Sequence, residues 1–337
     1  MEYKRIAVDT SKHVFTLHGI DAAGAVVLRR DLRRADFEAF FAKQAACEVV
    51  LEACGASHHW GRRLMALGHR VRLLPPQYVK PFVKRGKNDR LDAAAICIAA
   101  GQLDTRDVPV KSAEQQAALM VLRVRELLVR QRTQLVNALR GHAAEFGLVT
   151  AKGLARVEPL LATIEATKEI PAPGRAMLAV LGDEITHLDK RLTALEAKLL
   201  ALHKASPLSQ RLAKVPGIGP ITAISLVLSL DPTQFASGRH LAAWIGLTPR
   251  EHSSGGKQRL GGISRAGHER LRQLLVLGAT AVIRHARPGG KAMPWLLGLL
   301  ERKPRKLAAV ALANKMARIA WAMMTRGEAY REAPVAA

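Results

Sequence analysis

The tightest constraint on what this chain can fold into lies in its first 110 residues. There, short β-type runs alternate with helical stretches, and two of the runs end in a carboxylate. Arg5–Asp9 (RIAVD) is a short β run, and His13–Ile20 and Ala25–Arg30 follow it, joined near the turn-forming DAAG at 21–24. Ala35–Gln44 has helical spacing, with Phe37, Phe40 and Phe41 on one side. Glu48–Leu51 is a fourth strand, closed by Glu52; Ser57–Leu67 reads as a helix. Arg70–Leu74 is a fifth strand stopped by Pro75 and Pro76, and Asp89–Ala100 a further helix. Three antiparallel strands followed by parallel strands with crossover helices is the expected product.

That element order is the order of the ribonuclease H-like (RuvC-type) fold, and the acidic residues fall where such a sheet would gather them. Asp9 and Glu52 end strands that are neighbours in this topology, while Asp89 and Asp92 share a helix face. Singly, each has an ordinary reading: a strand end, a partner for a nearby arginine, an N-cap, a first-turn acid. Together, four carboxylates repel unless cations neutralise them. Mg²⁺ or Mn²⁺ suits oxygen ligands and leaves positions for phosphate oxygens. Lys84, Arg85, Lys87 and Arg90 flank the Asp pair and are candidates for holding a nucleic-acid backbone.

Beyond residue 110 the pattern turns helical. Leu119, Leu122, Leu127, Leu128, Leu135 and Leu139 recur along 112–148, and Leu178, Leu181, Ile185, Leu188, Leu192, Leu195 and Leu199 along 175–202, the second run set off by PAPG at 171–174. An antiparallel helical hairpin or coiled coil is expected. VPGIGPITA at 215–223 describes a helix-hairpin-helix: Gly217 and Gly219 permit a tight turn whose exposed N–H groups receive a phosphate. The stretch 246–267 is glycine-rich and basic, carries Ser253, Ser254, Lys257, Arg259 and Arg265, and reads as a loop outside any core. Helices from near His268 and over 307–325 would complete an all-α domain. The expected organisation is α/β plus all-α: a catalytic domain over 1–110, a helical spacer over 111–205 and a mostly helical domain over 206–330.

Charge separates the ends. The formal net charge is +24, of which residues 1–110 carry +6, residues 111–205 carry +4 and residues 206–337 carry +14. The last third is therefore the main candidate surface for phosphates. Cys47, Cys54 and Cys97 fit neither a zinc spacing nor a disulfide framework and are expected to be buried thiols in a reducing cytoplasm. No signal peptide and no membrane-spanning apolar run is visible.

Across nearly the whole chain, VDTSK at 8–12, LEACG at 51–55, KNDRLDA at 87–93, VPGIG at 215–219, GLTPR at 246–250, SSGG at 253–256 and ISRAG at 263–267 resemble one family. It is the DEDD insertion-sequence transposases, related to Piv-type DNA invertases and including bridge-RNA-guided recombinases. The resemblance implies a metal tetrad of Asp9, Glu52, Asp89 and Asp92. It also implies a nucleophilic serine before a glycine, here Ser254 with Ser253 as its neighbour, and a covalent phosphoserine link to DNA. Further implications are donor and target DNA as partners, a structured guide RNA, work at the bacterial nucleoid, and distant sites brought together across a homodimer or tetramer. Two readings compete with a recombinase: a hydrolytic Holliday-junction nuclease, which needs only the four acids, and a non-catalytic DNA-binding scaffold.

Overall fold

The computed structural model describes residues 2–83, 88–103, 105–286 and 294–330. The chain divides into two compact units, residues 1–117 and 118–337.

In the first unit, β1 (Arg5–Thr10), β2 (Val14–Ile20), β3 (Val26–Arg33), β4 (Glu48–Glu52) and β5 (Arg70–Leu74) form one sheet in the order β3-β2-β1-β4-β5. β1, β2 and β3 pair antiparallel, and β1 pairs with β4 and β4 with β5 in parallel. This is the strand arrangement expected from the element order. The helices α1 (Phe37–Phe41), α2 (Ser57–Ala66), α3 (Pro76–Val79) and α4 (Asp89–Ala99) cover it. Side chains alternate faces along a strand. Ile6, Val8 and Leu51 thus share a core with Phe37, Phe41 and Trp60, while Ala7, Val50 and Leu74 share another with Ala95 and Ile96 of α4. The helix around the phenylalanines is shorter than its periodicity suggests: a 3-10 turn over Arg34–Asp36 precedes α1. Phe37 and Phe41 are fully buried, Phe37 packed edge-on with Phe15 and Trp60 and Phe41 with Phe40 and His69. Cys47 and Cys97 are buried, but Cys54 is exposed, a correction to the expectation, because it sits past the end of β4 in the turn before α2.

The far end of α4 is tied to the sheet by two arginines. Arg72 Nη1 donates to the Ala100 carbonyl at 2.8 Å and Arg5 Nη1 to the Cys97 carbonyl at 3.3 Å, satisfying last-turn acceptors that lack helical partners. Both guanidiniums also pair with Glu48, and Arg72 pairs with Asp107 at 2.9 Å. Because Arg72 and Glu48 are largely buried, Arg72→Met should cost about 2–4 kcal/mol in urea unfolding. An unchanged midpoint would show that the network is energetically idle.

The described residues of the second unit are mostly helical, and α5 (Ala113–Ala144) enters it from the first. α6 (Val157–Ala166), α7 (Ala172–Ala205), α8 (Pro207–Leu212), α9 (Pro220–Ser229) and α10 (Gly238–Trp244) follow, then α11 (Glu269–His285), α12 (Pro294–Arg302) and α13 (Arg305–Arg326). Arg125 of α5 pairs with Glu196 of α7, and Arg132 with Asp189. These pairs lie two turns apart on each helix and run in opposite senses, so α5 and α7 are antiparallel neighbours. PAPG lies at the start of α7: Pro171 is its N-cap and Pro173 falls in the first turn, where a missing N–H costs no helical bond.

The last core joins Leu226, Leu241, Leu271, Leu275, Leu312 and Met316 from α9, α10, α11 and α13. Among the described residues α13 is the one helix long and apolar enough to cross a membrane. Its Ala308, Leu312, Met316 and Ala320 are buried in this core, which accounts for that composition. The stretch read as a loop over 246–267 contains two strands, β6 (Pro249–Glu251) and β7 (Leu260–Ile263), paired as an antiparallel hairpin. With no core facing them, both strands are almost wholly exposed and lack the apolar alternation that marks a buried strand.

Candidate active site

The sheet register decides where the acids point. Ala7 lies opposite Val50 and Val8 opposite Leu51 on the parallel pair β1–β4. Asp9 therefore shares the face of Ala7, and Glu52 the face of Val50, which is the face covered by α4. Ala7, Ala95 and Ala99 let that helix approach closely, and all three are buried. The start of α4 then sets Asp89 and Asp92 beside Asp9. Asn88, not Asp89, is the N-cap: its side-chain oxygen accepts from the Arg90 N–H at 3.0 Å, which leaves the Asp89 carboxylate uncommitted to capping.

Carboxylate oxygens of Asp9, Asp89 and Asp92 lie within 4.8 Å of one another. Glu52 lies outside that set of three but is near enough to act electrostatically on Asp9 and Asp92. Burial and the charges of Asp92, Asp89 and Glu52 push Asp9 up to about 6, and burial with Asp92 raises Glu52. Among the described residues none of the four is in an ion pair with Lys or Arg. Arg90, the nearest such cation in sequence, reaches Asp31 at 3.3 Å instead, and that carboxylate also accepts from Thr16. Lys84, Arg85 and Lys87 lie outside the described residues. An all-oxygen set of mutually repelling carboxylates fits a hard divalent cation.

Linkage makes this fit measurable. Asp9 holds its proton more tightly folded than unfolded, so the metal-free protein loses stability as pH rises from about 4 to about 6. Asp9→Asn should therefore stabilise the metal-free protein at pH 8, by about 1 kcal/mol once solvent screening at this half-buried group is allowed for. Millimolar Mg²⁺ should raise the wild-type melting temperature at pH 8 and much less at pH 5, where protons compete. A melting temperature indifferent to Mg²⁺ at pH 8 would count against a cation site.

At the other candidate centre, Ser254 sits at the tip of the β6–β7 hairpin. Gly255 (φ +56°) and Gly256 (φ +75°) form its turn, which the Lys257 N–H closes on the Ser254 carbonyl at 3.0 Å. Two successive positive φ values are the reason both residues are glycine. The two serines differ in a way their adjacency hides. Ser253 Oγ donates to the Glu251 carboxylate at 3.0 Å and accepts from the Arg259 N–H at 3.1 Å, bracing the hairpin. The Ser254 hydroxyl has no hydrogen-bond partner among the described residues, and the residue is exposed. The only trace of the Glu251–Ser253 bond in the sequence is two polar residues at i and i+2. Lys257, Arg259 and Arg265 are all exposed around this hairpin.

VPGIG forms the turn between α8 and α9, and its two glycines do different work. Gly217 has φ +87°, and a Cβ there would lie 3.0 Å from the Gly278 carbonyl of α11. Gly219 has an ordinary φ of −75°, is exposed, and a Cβ would meet nothing within 4 Å. Gly217 is thus required by the fold, whereas Gly219 leaves the start of α9 open to approach.

Comparison with known proteins identifies relatives over almost the whole chain. Residues 6–147 match a transposase family model for the DEDD domain, and residues 209–293 match the model described as transposase IS116/IS110/IS902 family. The chain is 52% identical over 332 residues to a putative transposase of Sinorhizobium fredii, spanning 98% of this chain and 86% of that protein. It is 49% identical to a probable family 20 transposase of Pseudomonas aeruginosa, spanning 98% and 99% of the two chains. A pilin gene-inverting protein of Moraxella lacunata is 24% identical over 298 residues, 84% of this chain and 81% of that one. By these two matched regions and by relatives alike over nearly its whole length, this chain belongs to the IS110/IS116 family of DEDD transposases, enzymes of DNA cleavage and strand transfer.

Proposed function

We propose that this transposase recombines DNA at the ends of its own insertion sequence with two chemical centres: a ribonuclease H-like tetrad and a serine. The observation that carries the reading is the approach of Asp89 and Asp92 to Asp9, with Glu52 close enough to act on it; burial first and these charges second push Asp9 up to about 6. The sheet order β3-β2-β1-β4-β5 supports the fold assignment. Asp9, Glu52, Asp89 and Asp92 would hold Mg²⁺ or Mn²⁺, which supplies charge stabilisation at phosphate oxygens.

Ser254 is the proposed nucleophile. Its Oγ attacks a DNA phosphorus, the Oγ–P bond forms, one P–O bond to deoxyribose breaks, and that oxygen leaves as a hydroxyl carrying a proton. The serine proton passes to solvent or a neighbouring base, and reversal rejoins the strand because the phosphodiester energy is kept in the serine ester. The free hydroxyl at the tip of an exposed, basic hairpin supports Ser254 over its braced neighbour. A structured RNA that pairs with both DNA sites is the proposed source of sequence choice, and the +14 segment offers the charge for phosphate contacts, which carry no sequence information themselves. The long antiparallel α5–α7 pair is proposed as the coiled-coil spacer of an oligomer.

The test uses protein with its copurifying RNA, Mg²⁺, and a labelled plasmid carrying the gene with its flanking sequence. A denaturant-stable protein–DNA adduct supports the reading. Cleavage without an adduct would establish the hydrolytic nuclease, and neither product the inert scaffold.

The VPGIG turn is proposed to take a DNA or RNA phosphate at the start of α9, as in a helix-hairpin-helix. Gly219→Val should leave the melting temperature unchanged, because the Cβ site is open, yet weaken binding about tenfold across unrelated sequences, with a shallower salt slope. Gly217→Val should instead destabilise the fold. Equal affinities for wild type and Gly219→Val would reduce VPGIG to an ordinary turn.

A further inference from the structure

The Ser254 hairpin has almost no core of its own, so its direction must be set where it leaves the domain. β6 is fully exposed and β7 nearly so. The neck is a close backbone crossing. The Arg265 N–H donates to the Gly246 carbonyl at 3.2 Å and the Ser264 N–H to the Thr248 carbonyl at 2.8 Å. Gly246 (φ +79°) passes so near Ala266 that a Cβ would lie 2.5 Å from its backbone, and a Cβ at Gly267 would lie 1.7 Å from the Trp244 carbonyl.

One charged side chain reaches both strands of this crossing from inside. Arg272 is 9% exposed, and its Nη1 donates to the Ile245 carbonyl and to the Ala266 carbonyl, each at 2.8 Å. Ile245 immediately precedes the hairpin's outgoing root at Gly246, and Ala266 immediately precedes its returning root at Gly267. Among the described residues no carboxylate pairs with this guanidinium. A buried cation satisfied by backbone carbonyls alone is costly to place, and a neutral side chain would fill the same space more cheaply. What the arginine adds is two donors on one nitrogen, held in a plane, that lock two chain segments to one helix. That helix is rigid here: Leu271, Leu275, Ala279 and Ile283 of α11 are in the core.

We propose that Arg272 is a positioning residue for the transposition chemistry, fixing the direction of the Ser254 hairpin by clamping both of its roots to α11. The proposal rests on Ser254 as the nucleophile. From Pro249 to Ser254 the hairpin extends on the order of 17 Å, so a swing of roughly 10° at the neck moves the hydroxyl by about 3 Å. Displacements near 1 Å already cost about 100-fold in rate.

The experiment compares wild type with Arg272→Met, Arg272→Lys and Arg272→Ala, using the plasmid substrate and copurified RNA at saturating DNA. Three quantities are read: single-turnover adduct formation, DNA affinity, and amide hydrogen exchange at Ser264 and Arg265 against exchange along α11. Arg272→Met is expected to slow adduct formation about 100-fold with affinity within twofold. The Ser264 and Arg265 amides should lose protection while α11 keeps its own. Arg272→Lys should recover part of the rate, and millimolar guanidinium should restore Arg272→Ala. Wild-type adduct rates in folded Arg272→Met, or slow rates with α11 deprotected and no rescue by Lys or guanidinium, would overturn the proposal. If Ser254→Ala still forms the adduct, the nucleophile reading fails instead, and the exchange data still report whether Arg272 holds the neck.

Discussion

Asp9→Asn should lower DNA strand cleavage roughly a thousand-fold or more while the protein remains folded and still binds nucleic acid. The carboxylate stands at the end of β1 with Asp89 and Asp92 within 4.8 Å, and replacing it by an amide removes one of the carboxylates proposed to hold the cation. A cation held there would contribute several kcal/mol of charge stabilisation to phosphoryl transfer, which corresponds to that factor. Glu52→Gln and Asp92→Asn should behave alike, for each presents its charge to Asp9. The accompanying signature separates lost ligation from lost folding: Asp9→Asn is more stable than wild type without metal, and its melting temperature no longer responds to Mg²⁺. Cleavage at wild-type rates by Asp9→Asn would dismiss the acidic cluster as the catalytic centre.

The second large effect is expected at the hairpin. Ser254→Ala should bind DNA and RNA normally and form no covalent adduct, because the hydroxyl it removes holds up no part of the fold. Ser253→Ala should retain adduct formation at a reduced rate. It breaks the brace to Glu251 and the Arg259 N–H but leaves the free hydroxyl in place. Mass spectrometry of the digested adduct assigns the link directly. A phosphodiester on Ser253 would reverse the assignment and make Glu251, 3.0 Å from that hydroxyl, the candidate base.

Several features were legible in the residues alone because they depend on local chemistry. Arg70–Leu74 is a strand with the bounds its apolar run and the following prolines set, and Asp89 begins a helix as expected. The strand order follows from the alternation of β runs and helices, since parallel neighbours need crossovers and antiparallel ones need only turns. Asp9, Glu52, Asp89 and Asp92 could be picked out because carboxylates at strand ends and on one helix face have few ways to avoid one another in such a sheet.

Other features depend on segments that meet only after folding. Nothing about Cys54 marks it as exposed, because its place past the end of β4 is a consequence of where that strand stops. The hairpin over 249–263 lacks the apolar alternation of a buried strand, since no core faces it. Ser253 and Ser254 are equivalent as letters; the hairpin's fold sends one hydroxyl to Glu251 and leaves the other at the tip. Gly217 and Gly219 likewise look interchangeable until α11 packs Gly278 against the first. Arg272 gives no signal at all, for its partners are backbone carbonyls 27 and 6 residues away. Local sequence thus determined which groups could do chemistry. Tertiary packing decided which of them are held, which are free and which are forced together, because hydrogen-bond and charge partners are chosen by proximity in space.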